Sequence, residues 1–462
     1  MTEVIHTKLL ILGGGPGGYV AGIRAGQLGI DTVLVEGDKV GGTCLIRGCI
    51  PSKAIIHAAS RFNEMTKTAA PGGAHGVKLA APPTLDLAET VEWKDGVVDK
   101  LNGGVSALLK RAKVRVVSGW GTFTDAKTCV VGEVTIKTEQ VILAAGSVPA
   151  ALPHIPFGED VISSTEALDL KALPSRLVVI GAGYIGMELG IAFRKLGCEV
   201  TIVEAQDRIL PLYDLALTKP VKTWLEKNGV VLHLATKAVG FEHGALKVNK
   251  VGDVLSLPAD KLLVTVGRAP RTQGWGLETM GIDLDGRFIK VDDRCQTSMK
   301  GVYAIGDLVG EPMLEHKAAT QGHIVAEIVA GQNRRFDPAA IAAVCFTEPE
   351  IVSAGLLPDD PGGSGDDVIS AVFPFQANGR ALSMAAGDDG GFVRVLARKR
   401  DHKVLGLQAV GQHVSELSGG FALALEMGAV LEDIAGTIHV HPTLTEATHE
   451  AALRALGHAI HL

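Results

Sequence analysis

The sequence predicts an α/β chain with two Rossmann-like dinucleotide-binding domains and a C-terminal α+β domain. Three observations carry this. A glycine turn occurs twice between an apolar strand and a helix, strand-and-turn segments return after each copy, and the tail shifts to a hairpin followed by helical patterns. The first copy, "KLLILGGGPGGYVAGIRAGQLGIDTVLVEGD", reads as a buried strand, a turn holding Gly13, Gly15 and Gly18, a helix containing Ala21 to Leu28, and a strand ending at Glu36. The second, "RLVVIGAGYIGMELGIAFRKLGCEVTIVEAQD", runs from a strand at Leu177 through Gly181, Gly183 and Gly186 to a strand ending at Glu204. In such a unit the first glycine makes the tight turn, the second admits a pyrophosphate, the third lets helix pack on strand, and the helix N-terminus faces the phosphates. A carboxylate closing the second strand accepts ribose hydroxyls, so Glu36 and Glu204 mark two sites. Glu204 favours NAD over NADP by repelling a 2′-phosphate, with Arg208 as a nearby cation.

Between the copies lie a helical segment, "WKDGVVDKLNGGVSALLKRAKV", and the strand "QVILAAGS"; after them "KLLVTVGRAP" and "GVYAIGDLVG" read as strands running into turns. From about Cys345 the pattern becomes the hairpin "GFVRVLARKRDHKVLGLQAVG", then helices in "ELSGGFALALEMGA" and "LTEATHEAALRAL". "LPDDPGGSGDD" reads as a solvated surface turn. The expected organisation is residues 1–150 and 151–276 for the two nucleotide-binding domains, 277–345 for a central segment, and 346–462 for the tail domain. A chain of 462 residues fits about three domains at roughly 150 residues each. With 44 Lys plus Arg against 51 Asp plus Glu and no basic run, neither nucleic acid nor a membrane surface is indicated as a partner. Six cysteines in such a chain are not a disulfide framework, so the compartment is expected to be reducing and any disulfide a working one. The opening apolar run is too short for a signal or membrane segment, and the expectation is a soluble, cytosolic protein.

The stretch "GGTCLIRGCIPSK" sets Cys44 and Cys49 five positions apart. A zinc half-site, a structural disulfide and a redox pair are all readings of it, although the zinc reading lacks a second short Cys or His spacing. Positions five apart on an ideal helix are rotated by roughly 140°, so a disulfide needs a distorted turn, which Gly48 permits. Cys49, just before Pro51 and a helical pattern, is expected at a helix N-terminus, where the dipole stabilises a thiolate and favours reversible exchange. Cys129, Cys198, Cys295 and Cys345 are scattered and read as packing residues.

Two fingerprints flanking "GGTCLIRGCIPSK", then "AIGD", then "HPTLTE" resemble the flavoprotein disulfide reductases nearly end to end, and among them the dihydrolipoamide dehydrogenase branch. The similarity is strongest to bacterial forms serving branched-chain 2-oxo acid dehydrogenase complexes. The resemblance implies FAD at the first fingerprint, NAD at the second, and oxidation of dihydrolipoyl groups through a Cys44–Cys49 disulfide. It implies that Cys49 is the thiol against the flavin and Cys44 the interchange thiol. By the same resemblance Lys53 sits near the flavin, held by Glu188, and Tyr184 gates the nicotinamide pocket. Asp307 holds the flavin ribitol, with Gly306 admitting the backbone; Ala145, Gly146 and Ser147 of "AAGS" pass close to the FAD, and Gly267 of "KLLVTVGRAP" joins the cofactor contacts. His441 and Glu446 match the family's acid/base pair, a need set by the protons released on dithiol oxidation. His439 and His449 read as structural. The family places this histidine over the disulfide of the other subunit, which implies a homodimer with a dimerising C-terminal domain, and a lipoyl domain of an acyltransferase as partner.

Two departures stand out. Ile46, followed by Arg47, replaces the family's usual Asn between the cysteines, which bears on local hydrogen bonding and redox potential. "AAGS" replaces "ATGS", the loss of one hydroxyl. Rival readings are a glutathione-type or mercuric reductase, or a noncatalytic flavoprotein scaffold. Intact Cys44, Cys49, His441 and Glu446 oppose the scaffold, and the tail "ALGHAIHL" lacks the cysteine pair of mercuric reductase.

Overall fold

A computed structural model of the chain describes residues 3–461. The first unit is a sheet in which strand β1 (Glu3–Leu12) pairs in parallel with β2 (Thr32–Glu36) on one side and with Val134–Leu143 on the other. β1 changes from alternating exposure to continuous burial along its length, because only its second half is covered on both faces. Helix α1 (Pro16–Gln27) crosses over between β1 and β2, starting at a proline whose missing N–H costs a first-turn position nothing. Strand Val302–Ala304 returns late in the chain to pair with Val134–Leu143. The central segment is therefore knitted into the first sheet.

Two helices, α2 (Gly42–Arg47) and α3 (Cys49–Ala69), lead away from this sheet, and α4 (Leu87–Arg111) packs against α3. The helix expected from Trp93 starts earlier, at Leu87, because the Asp86 carboxylate caps it by accepting the Glu89 N–H at 3.0 Å. The second unit is a five-stranded parallel sheet in the order Val231–His233, Glu199–Val203, Arg176–Ile180, Lys261–Val264, Val161–Ile162. Its fingerprint helix, Tyr184–Lys195, is buried along most of its length between that sheet and α3. A two-strand ribbon, Ser147–Pro149 with Arg268–Pro270, joins the two units. The tail is a five-stranded antiparallel sheet covered by helices Ser418–Glu426 and Glu446–Ala455, and its first strand is already Ala343–Cys345. The predicted hairpin is present as Phe392–Arg398 and Val404–Gly411.

Candidate active site

The cysteines are joined. Cys44 lies in α2, Cys49 is the first residue of α3, and between them Gly48 (φ −140°, ψ −107°) breaks the helical path so that the two Cα atoms stand 4.6 Å apart in a disulfide. The zinc reading is thereby set aside. Ile46 packs against the first unit's core and Arg47 contacts Asp38, so the positions that depart from the family pattern take packing and ion-pair roles.

Both cysteines line a cavity of about 1020 Å³ that also contains Gly13, Gly15, Glu36, Lys53 and Asp307. That volume is at the top of the roughly 300–1,000 Å³ range of ligand pockets. Ala145, Gly146, Ser147, Tyr184, Glu188 and Gly306 line it too. Gly18, Gly181, Gly183, Gly186, Glu204 and Gly267 do not. The two fingerprints are nonetheless built alike. A Cβ on Gly18 would meet the Gly13 carbonyl oxygen at 1.8 Å, and one on Gly186 would meet that of Gly181 at 2.2 Å. At the middle position, by contrast, a Cβ on Gly15 meets nothing nearer than 3.8 Å and one on Gly183 nothing within 4 Å. The protein itself does not require glycine at these middle positions, whereas a pyrophosphate lying on the helix N-terminus does. Glu36 accepts the N–H of Gly14 at 2.6 Å and that of Asp38 at 2.8 Å, and Glu204 accepts Ala182 and Gln206 at 2.7 and 2.8 Å. The residues present therefore fit FAD in the cavity and a second dinucleotide at the Glu204 turn. Arg208 is committed elsewhere, donating to the backbone carbonyls of Pro211 and Tyr213.

Lys53 Nζ lies 2.7 Å from Glu188 Oε2, and the other Glu188 oxygen accepts the Phe346 N–H at 2.9 Å. The ammonium also stands 4.4 Å from the Phe346 ring centroid. Glu188 is buried, so it fixes a cation at the cavity wall at the junction of all three units. Asp307 accepts the Ser147 hydroxyl at 2.5 Å. Sequence reasoning missed Arg268, which donates to Ser147 Oγ at 2.7 Å and to its carbonyl at 2.9 Å. It also missed Gln321, whose carbonyl oxygen takes the Gly306 N–H at 2.8 Å. Arg268 sits beside Gly267 in the quoted "KLLVTVGRAP", but only the ribbon with Ser147–Pro149 brings it to the cavity. Burial pushes the Tyr184 phenol up to about 12, against the opposing charge of Arg268, so it stays protonated.

His441 and Glu446 stand apart from this cavity. His441 Nδ1 and Glu446 Oε1 are 2.8 Å apart, and the second oxygen takes the Thr443 N–H at 2.8 Å. Burial works to raise the Glu446 carboxyl, but the Thr443 N–H and the His441 ring prevail and hold it below the usual carboxylate value. The imidazole is 79% exposed and lines no part of the cysteine cavity in its own chain. His439 and His449 pack against each other with ring centroids 5.4 Å apart.

Residues 7–322 match the pyridine nucleotide-disulphide oxidoreductase family, and 341–452 match that family's dimerisation domain, which supports a homodimer. The chain is 56% identical to a dihydrolipoyl dehydrogenase of Pseudomonas aeruginosa over the whole of both chains. It is 44% identical to one of Halobacterium salinarum, covering 98% of this chain and 97% of that one. The crystal structure of LpdA from Mycobacterium tuberculosis superposes with a TM-score of 0.87 at 27% identity, covering 97% of this chain and 99% of that chain. With paired fingerprints, a disulfide on the cavity wall and these relatives along its full length, the chain belongs to the pyridine nucleotide-disulphide oxidoreductase family, in its FAD- and NAD-dependent dihydrolipoyl dehydrogenase branch.

Proposed function

We propose that Cys44 is the thiol that meets the dihydrolipoyl group, that Cys49 faces the flavin, and that His441 with Glu446 serves the disulfide of the other subunit. The observation that carries the thiol assignment is the position of Cys49 at the N-terminus of α3, where the helix dipole favours its thiolate as leaving group. A dihydrolipoyl thiolate attacks Cys44 and breaks the Cys44–Cys49 bond; the second substrate thiol then displaces Cys44, leaving a lipoyl disulfide and two reduced cysteines. His441 takes the proton of the attacking thiol, and the ionised Glu446 orients the ring and stabilises its charged form. FAD held along the Gly13–Gly18 turn would supply two-electron transfer between the cysteine pair and NAD. Lys53, fixed by Glu188, would set a positive charge beside the flavin, and Asp307 with Gly306 on the cavity wall would hold its ribitol. Ala145, Gly146 and Ser147 on the cavity wall would carry the chain past the flavin, and Tyr184, the first residue of the second fingerprint helix, would gate the nicotinamide.

The two-subunit arrangement rests on the exposure of His441 and of its neighbours Ile438 and Val440, which are 96% and 72% exposed apolar side chains on the matched dimerisation domain. The physiological donor in this reading is the lipoyl domain of an acyltransferase in a 2-oxo acid dehydrogenase complex. A cytoplasmic setting fits four cysteines kept as buried thiols. No helix among the described residues is long and apolar enough to cross a membrane. The thiol assignment is tested by Cys49→Ser: the two-electron-reduced variant should lack the long-wavelength absorbance of a thiolate lying against flavin. A surviving band supplied by Cys44 would reverse the two roles.

A further inference from the structure

The first sheet ends in an open edge. Strand β3 (Arg115–Ser118) pairs in parallel with β2 and with no other strand, and the backbone groups on its far side have no backbone partner among the described residues. A free edge is a template for a further strand, and proteins usually cover or blunt it. Here Val116 stays 40% exposed. Beside the edge, the end of α4 and the start of β3 border a groove of about 440 Å³. Its floor is apolar, made by the buried side chains of Val40, Leu109 and Val114, and its rim carries Lys110, Lys113 and Arg115.

Helix α4 stops in a turn where the Lys113 N–H donates to the Lys110 carbonyl and the Val114 N–H to that of Leu109, each at 3.0 Å, which holds Lys113 at φ +59°. Glycine takes up such a turn without strain. A lysine stands there instead, and neither it nor Lys110 pairs with a carboxylate among the described residues, whereas Arg115 meets Glu3 at 2.6 Å. On a chain of net charge −7 this is a local reversal of sign, which favours an acidic partner. A nucleic-acid strand would find no aromatic ring to stack upon among the described residues that line the groove. An extended acidic peptide fits all the features together: its backbone completes the edge, its carboxylates meet the rim, and its apolar side chains lie on the floor. We propose that the β3 edge and its groove dock an extended acidic segment of another protein by strand addition. The groove shares no residue with the cysteine cavity, so this is a second binding surface.

The flavin-loaded, full-length protein is titrated with a labelled, capped peptide of alternating Glu and Val, followed by fluorescence anisotropy at low salt. Lys113→Gly, which removes the charge and suits the turn better, and Lys110→Gln should each weaken binding about tenfold. A peptide with Lys in place of Glu should not bind. Nor should the acidic peptide N-methylated at alternate residues, which keeps every charge and loses the donors that pair with an edge. Equal binding of the N-methylated peptide would overturn strand addition, and equal binding of the Lys peptide, or unchanged affinity in both variants, would overturn the role of the rim. No binding of the acidic peptide at about 1 mM would overturn the docking site as a whole. So would a single-stranded oligonucleotide that bound through Lys113 where the peptide did not.

Discussion

Cysteine reactivity in this chain is decided residue by residue. Burial pushes the thiols of Cys129, Cys198 and Cys295 up to about 12, and it likewise raises that of the fully buried Cys345 well above the ordinary thiol value. A raised thiol value keeps the proton on sulfur, so at pH 8 these four carry almost no thiolate, and the thiolate is the nucleophile. Alkylation of the reduced native protein at pH 8 should therefore modify Cys44 and Cys49 only, read by peptide mass spectrometry. Labelling of any of the other four before unfolding would show that the core is more open than this. The sequence foresaw all four as packing residues because scattered cysteines without short spacings have no common chemistry to serve.

At the scale of elements, one buried ion pair ties the second nucleotide-binding unit to the C-terminal sheet. Asp214 caps helix Leu215–Lys227 by accepting the Ala216 N–H at 3.0 Å, and the same carboxylate meets Arg394 from strand Phe392–Arg398. Arg394 Nε in turn donates to Gln408 at 2.8 Å on the neighbouring strand. Both charged side chains are only 6% exposed. Asp214→Ala strands a buried guanidinium as well as removing a cap, so it should cost about 3–5 kcal/mol, the range for breaking a buried pair. Denaturant unfolding of the flavin-loaded protein measures this, and a loss under about 1 kcal/mol, the scale of a surface pair, would show that water reaches Arg394. No sequence motif announced the pair. Its partners are separated by 180 positions and meet only when one domain docks on another.

For the whole molecule, the decisive feature is that one chain holds the disulfide in its cavity and the His441–Glu446 pair on an exposed face of a different domain. His441→Gln should cut dihydrolipoamide oxidation by about 10² to 10⁴, the range for lost acid/base catalysis, with flavin retained. Mixing that inactive variant with inactive Cys49→Ser should restore activity, because a heterodimer has one site with both intact thiols and an intact histidine. Confirmed subunit exchange with no return of activity would place the whole site within one chain.

Local order determined what could be read without the fold. Each fingerprint, its strand, turn and helix and its closing glutamate lie within about thirty residues, and the disulfide spans five positions around a glycine, so periodicity and spacing carry them. The early start of α4 escaped because its cap, Asp86, sits outside the apolar pattern that reveals a helix. Only the tertiary structure decided which distant groups converge. The Arg268–Ser147–Asp307 chain, the Gln321 contact to Gly306, the Arg47–Asp38 and Arg271–Trp120 pairs, and the separation of His441 from the cysteine cavity all arise from strand pairing and domain docking. Such contacts join residues that share no periodicity. Their physical cause is the burial of each unit's faces against the next, which no single segment encodes.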